Sequence, residues 1–143
     1  MAALRELTGF ETDAGRAQVV VFQGLDHHIH VLTRQADGEP SWVHRDLTQD
    51  QGGPLCTRGL TAYASEGDDS MHITYQAPYD GLIMGRIWEY TGTAATLAWR
   101  MPVDISGGLD GPTGGIRISR GFGFRSDGTR HLPVVDSLGQ IWQ

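Results

Sequence analysis

His28 and His30 are two residues apart, so on a strand both side chains leave the same face. Trp42 and His44 repeat that spacing in the run Trp42-Val43-His44-Arg45-Asp46-Leu47-Thr48. Three imidazoles brought together could start a zinc site. Such a site needs a fourth ligand or a water, and no spacing in the chain points to one, so no metal is assigned. Imidazoles are also hydrogen-bond partners for a hydroxyl-rich ligand, or simply the polar face of a strand.

Trp42, Trp88, Trp99 and Trp142 carry the largest aromatic planes, each with a polar N–H. An open indole stacks on the C–H face of a sugar, whereas a buried one fills the wedge between sheets; the sequence admits both. Arg45 beside Asp46, and Arg100 near Asp104, offer a guanidinium for bidentate binding. An Asp at a strand end more often bonds the following turn. Glu89, beside Trp88, is an acceptor or a solvated position. Cys56 is the one cysteine and lies in a Gly/Pro loop, so no disulfide forms within the chain. A nucleophilic role would need a histidine close in space, which spacing does not place. The sequence holds no G-x-S-x-G, no H-E-x-x-H and no phosphate loop. No catalytic residue and no cofactor is assigned, and the reading leans away from an enzyme.

These side chains sit in a 143-residue chain of net charge −6, long enough for one domain with a real core. The acidic balance disfavours nucleic acid, whose phosphates reward a basic patch. No apolar run approaches a membrane span, and Met1-Ala2-Ala3-Leu4 leads into Arg5-Glu6 without a signal-peptide core. The expectation is a cytoplasmic location by default. All 11 basic residues are arginine, and lysine and asparagine are absent. The codons of both missing residues are A-rich, which points to a high-GC bacterial genome. The absence of asparagine also excludes N-glycosylation. Gly is 20 of 143, about twice the usual share, scattered between short apolar runs as in a chain of many strands.

The runs recur. Gly9-Phe10-Glu11-Thr12 followed by Gln18-Val19-Val20-Val21-Phe22-Gln23 reappears as Ala62-Tyr63-Ala64-Ser65 and Met71-His72-Ile73-Thr74-Tyr75-Gln76, an offset of 53. Gly121-Phe122-Gly123-Phe124 with Arg130-His131-Leu132-Pro133-Val134-Val135 repeats it again at an offset of 59. Asp26 to Leu32 matches Asp80-Gly81-Leu82-Ile83-Met84 and then Leu138-Gly139-Gln140-Ile141-Trp142. Trp42 to Thr48 matches Trp99 to Ser106 with one extra residue.

Each unit has four short runs rich in Val, Ile, Tyr, Phe and Trp, here called A to D. Four antiparallel strands at a period of roughly 40–60 residues predict β-propeller blades. The fold expected is all-β, with blades at about 9–48, 62–106 and 121–143 in one repeat domain. A β-sandwich is the alternative. The third unit lacks its D strand, and Arg5-Glu6-Leu7-Thr8 resembles Arg45-Asp46-Leu47-Thr48, so residues 2–8 are expected as a stray D strand. Leu7-Thr8 also lines up with Leu60-Thr61. Three blades cannot close a ring, and two chains would give six in a homodimer.

The stretch from Val19 to Leu32, followed by Trp42-Val43-His44-Arg45-Asp46-Leu47-Thr48, resembles one blade of bacterial lectin-like propellers, a group that includes fucose-specific lectins. The resemblance covers one blade well, a second fairly and half of a third, and implies a carbohydrate-binding propeller. Fucose-specific members place an Arg in strand B and a Glu in strand C. The matching positions here hold Val20 and Val31, then Ile73 and Gly85, so fucose specificity does not carry over. Trp42 and Trp99 of strand D, with Trp88 of strand C, match the aromatic part. The expected function is lectin-like glycan binding through Trp42, Trp88, Trp99, Trp142, His28, His30, His44 and Arg45. The alternatives are a small-molecule enzyme with a pocket at a blade or dimer interface, and a protein-interaction scaffold.

Overall fold

The structure is a computed structural model. It describes residues 4–12, 16–36, 41–65, 69–79 and 82–106, and five two-residue strands beyond them. Four strands form the first antiparallel sheet in chain order: β1 (Glu6–Glu11), β2 (Ala17–Gln23), β3 (Ile29–Gln35) and β4 (Val43–Asp46). The period-2 pattern is clean in β2, where Ala17, Val19, Val21 and Gln23 are buried and the residues between them more open. A five-residue helix, α1 (Leu47–Gln51), follows β4. Asp46 caps it by accepting from the Gln49 N–H at 2.9 Å. This is the turn-bonding role that an Asp at a strand end favours.

The second sheet holds β5 (Arg58–Ala64), β6 (Ser70–Tyr79), β7 (Leu82–Thr93) and β8 (Ala98–Trp99) in that order, with β9 (Val103–Asp104) also paired to β7. Beyond it, β10 (Arg117–Ile118), β13 (Val134–Val135) and β14 (Ile141–Trp142) pair in that order, and β11 (Gly123–Phe124) pairs with β12 (Arg130–His131). The chain is therefore all-β in character, built on two antiparallel sheets that do not close. Among the described residues no helix is long and apolar enough to cross a membrane.

The two sheets repeat one another in register. Thr8 faces Val21 in the first, and Thr61 faces Thr74 in the second. Phe22 lies opposite His30, Tyr75 opposite Trp88, and Val134 opposite Trp142. The Ile29 N–H donates to the Thr48 hydroxyl at 2.9 Å, and the Ile87 N–H to the Ser106 hydroxyl at 3.0 Å. His28 binds Asp46, as Arg86 binds Asp104.

Three sequence alignments change accordingly. His28-Ile29-His30 is equivalent to Arg86-Ile87-Trp88, so Trp88 and not Met84 stands where His30 does. The cause is hairpin length: β6 and β7 have 10 and 12 residues, against 7 each in β2 and β3. Asp46 is equivalent to Asp104, which sets Trp42 against Arg100, while Trp99 lies on the separate strand β8. Finally, Glu6, Leu7 and Thr8 form the first half of β1, facing Gln23, Phe22 and Val21, rather than a stray D strand. The Glu6 carboxylate accepts from the Gly59 and Leu60 N–H groups at 3.2 and 2.6 Å, which ties β1 to β5. Residues 2 and 3 lie outside the described residues.

One core joins the sheets. Val19, Val21, Ile29 and Val31 on one face of the first meet Met71, Ile73, Tyr75, Ala77 and Tyr90 of the second, with Leu47, Cys56 and Trp99 in the same cluster. Burying each such aliphatic side chain contributes about 1.5–3 kcal/mol. The opposite face of the first sheet is open, and it carries Leu7, Val20, Phe22, His30, Leu32, His44 and Asp46, cross-strand partners that share a side.

Candidate functional site on the open face of the first sheet

The β2–β3 turn begins the site. Gly24 and His28 close it, with the Gly24 N–H donating to the His28 carbonyl at 3.0 Å and the His27 N–H to the Gly24 carbonyl at 3.1 Å. His27 holds a left-handed backbone, φ 66°. Its ring turns inward and lies 3.1 Å from the Cys56 carbonyl oxygen, away from the cluster. Asp26 folds back over Gly24 beside the His30 ring. A side chain at position 24 would collide with both, so the glycine makes room for this contact.

The aromatic rings then stack across the sheet. Phe22 and His30 have centroids 5.0 Å apart at 18°, and His30 and His44 are 5.2 Å apart at 23°. His28 stacks 6.2 Å from His30. Hydrogen bonds link two of the imidazoles to acids and two to one another: His28 Nδ1 to Asp46 Oδ2 at 2.7 Å, His30 Nε2 to Asp26 Oδ1 at 3.3 Å, and His44 Nε2 to His30 Nδ1 at 3.2 Å. An ionised carboxylate only accepts, so His30 donates from Nε2 to Asp26, and its Nδ1 accepts from His44. His28 donates from Nδ1 to Asp46, which leaves its Nε2 available.

Both carboxyls are held below their ordinary range. Burial pushes Asp46 up, but the Gln49 N–H, the His28 ring and the positive character of His28 and His30 outweigh it and hold the carboxyl below its ordinary range. At Asp26 burial again raises, and is outweighed by the His28 N–H and by the rings of His30 and His28. The second unit achieves the same at Asp104. There burial is outweighed by hydrogen bonds from Arg86 and Ser106.

The structure thus brings His28, His30 and His44 together, and separates the rest. Trp42 is open, 43% exposed, directly before β4 and two residues from His44. Trp99 is 5% exposed and belongs to the core, packed close against Gly92, so it offers no free plane to a ligand. Trp88 is half-buried against the same core. The indole N–H groups of Trp88 and Trp99 are both buried with no acceptor among the described residues. Arg45 lies opposite Val31, on the other face from His44 and Asp46, and pairs with Asp50 at 3.2 Å. It therefore does not join the cluster. Trp142 lies on β14 opposite Val134, and its side chain is outside the described residues. Glu89 pairs with the buried His72 at 3.0 Å in the second sheet.

Sequence reasoning missed Phe22 and Asp26 as members. Strand alternation signals Asp46, two residues after His44. Asp26 carries only its position four residues before His30, which acquires meaning once the turn is known. Cys56 is fully buried, and burial together with the Glu6 charge pushes its thiol up to about 12, so no thiolate nucleophile is present. No protein-family model and no curated protein matches this chain.

Proposed function

We propose that this chain is a lectin-like, non-catalytic module that binds a glycan on the open face of its first sheet. The observation carrying this reading is the cluster of His28, His30 and His44 with Asp26 and Asp46, which gathers imidazole edges and carboxylates on that face, with Trp42 open two residues before His44. Such a surface offers donors and acceptors for hydroxyl groups and one indole plane for a sugar's C–H face. Useful affinity then comes from repeated sites held in one assembly.

The assembly we propose is a propeller. The face of the second sheet that enters the core carries Met71, Ile73 and Tyr75, whose equivalents in the first sheet are Gln18, Val20 and Phe22 on the open face. Successive units therefore stack back to front, the heterologous arrangement that closes rings, whereas a pseudo-twofold sandwich would join like faces. The open face of the first sheet, with Leu7 55% exposed, is the place for one more unit. A second copy of the chain supplies it in a six-bladed homodimer, covering the Leu7 and Val20 side.

A glycan array probed with the purified protein tests the function. Binding that His30→Ala and Trp42→Ala both reduce by about tenfold or more supports it; no binding to any glycan refutes it. Light scattering tests the assembly, and a stable monomer near the 15.6 kDa chain mass overturns the ring. One observation favours the enzyme alternative: the hydrogen bonds from His44 through His30 to Asp26 form an acid–base relay. A metabolite that co-purifies with the protein, identified by mass spectrometry, alongside an empty glycan array, would select it.

A further inference from the structure

We infer that Asp26, His30 and Asp46 form a binding site for a divalent transition-metal ion of the zinc class, with His44 as the residue that orients His30. One ligand atom from each of the three lies within 4.8 Å of the other two. Around a tetrahedral ion with bonds of about 2.0–2.2 Å, ligand atoms stand about 3.3–3.6 Å apart. His30 Nε2 and Asp26 Oδ1 are already at 3.3 Å, so only the Asp46 carboxylate has to draw in. A water completes the shell, the open fourth position of a site with three protein ligands. One imidazole nitrogen with two carboxylate oxygens suits zinc, cobalt or nickel, whereas magnesium and calcium prefer all-oxygen shells.

The second repeat unit serves as an internal comparison. There Asp104 is neutralised by Arg86, a permanent cation, and Trp88 occupies the position of His30. In the first unit the position of Arg86 holds His28, which carries charge only when protonated. Among the described residues Asp26 and Asp46 each pair with a histidine and neither with an arginine, and Arg45 is engaged with Asp50. Two carboxylates and the His30 ring therefore converge with no fixed cation among them, an arrangement that a bound metal ion completes.

The surrounding bonds already orient each ligand. Asp26 accepts from the His28 N–H at 3.0 Å, Asp46 accepts from the Gln49 N–H at 2.9 Å, and His30 Nδ1 meets His44 Nε2 at 3.2 Å. On binding, His30 moves its proton from Nε2 to Nδ1 and donates it to His44 Nε2, while His44 carries its own proton on Nδ1. The outer imidazole then fixes the ring of the ligand, as such partners do at metal sites.

The test is direct titration of chelator-treated full-length protein with Zn²⁺ by calorimetry, and with Co²⁺ by its visible absorption. One equivalent per chain is expected. His30→Ala and Asp26→Asn should each weaken binding about 100-fold or more, and His44→Ala about 10–100-fold. Asp26 is largely exposed, so Asp26→Asn reports on the site with the fold kept, which a thermal melt checks. No binding to the wild type, or equal binding to wild type, His30→Ala and Asp26→Asn, overturns the site; the latter result would assign the metal to scattered surface histidines. The titration contains no sugar, and the glycan array is run both with chelator and with zinc. Failure of either proposal is thus read separately from the other.

Discussion

Trp99 and Trp42 are both tryptophans at the D end of a repeat, and truncating each separates core from surface. Trp99 is 5% exposed, and its ring packs so close to Gly92 that an added Cβ there would press on Cε3 and on the Met71 methyl group. Replacing a buried Trp by Ala costs about 3–5 kcal/mol through lost transfer energy and the cavity left behind. Part of that is returned. The Trp99 N–H is buried with no acceptor among the described residues, and removing an unsatisfied donor recovers about 1–3 kcal/mol. The net expectation for Trp99→Ala is about 2 kcal/mol of lost stability, measured by urea denaturation with the slope held constant. Trp99→Phe keeps most of the apolar volume and removes the stranded N–H, so it should fall within about 1 kcal/mol of wild type. Trp42→Ala should change stability by no more than about 0.5 kcal/mol, because the side chain is open. A Trp99→Ala protein with an unchanged midpoint would refute the packing account. So would a Trp42→Ala protein that loses as much stability as Trp99→Ala.

Asp26, Asp46 and Asp104 all have folded-state pKa values below those of free carboxyls. Their contribution is therefore present above about pH 4 and is lost as pH falls through the depressed folded values. Thermal melts should show Tm falling in that acid range, and Asp104→Asn should flatten part of the fall; equal slopes in both proteins would contradict the Arg86 pairing. Cys56 should resist alkylation at about pH 8 in the native protein and react promptly once unfolded, since its thiol is buried and raised to about 12. Rapid native-state labelling, followed by mass spectrometry, would contradict that burial. Gly24→Ala should weaken ligand binding about as much as removing Asp26, because its methyl group displaces the Asp26–His30 contact. Unchanged binding by Gly24→Ala would show that the contact is dispensable.

The A and B strands were legible because the hairpin between them keeps one length. Thr8 and Thr61, or Phe22 and Tyr75, stay 53 residues apart and keep the same cross-strand partners. The C strand hides its alignment because turn chemistry and register disagree: Asp26-His27 and Asp80-Gly81 look alike, but the second hairpin is extended on both sides of its turn. Alternation was enough to group His28 with His30, and Trp42 with His44. It could not show that Arg45 faces the opposite side in a useless position for the cluster, nor that Trp99 is enclosed while Trp42 is open. Those outcomes depend on which sheet lies against which face, a property of the stack and not of any single strand.

The Glu6 carboxylate, bound to the Gly59 and Leu60 N–H groups, has a consequence for how the chain folds. Within each sheet nearly every pairing joins neighbouring strands, so both can form by short loop closures and at similar speed. The Glu6 bonds span more than fifty residues, and together with the shared core they make up the coupling term between adjacent units. In a linear array the size of that term decides whether units melt singly or together. Weakening it should broaden the unfolding transition before it lowers the stability of either sheet, turning one cooperative event into two that overlap.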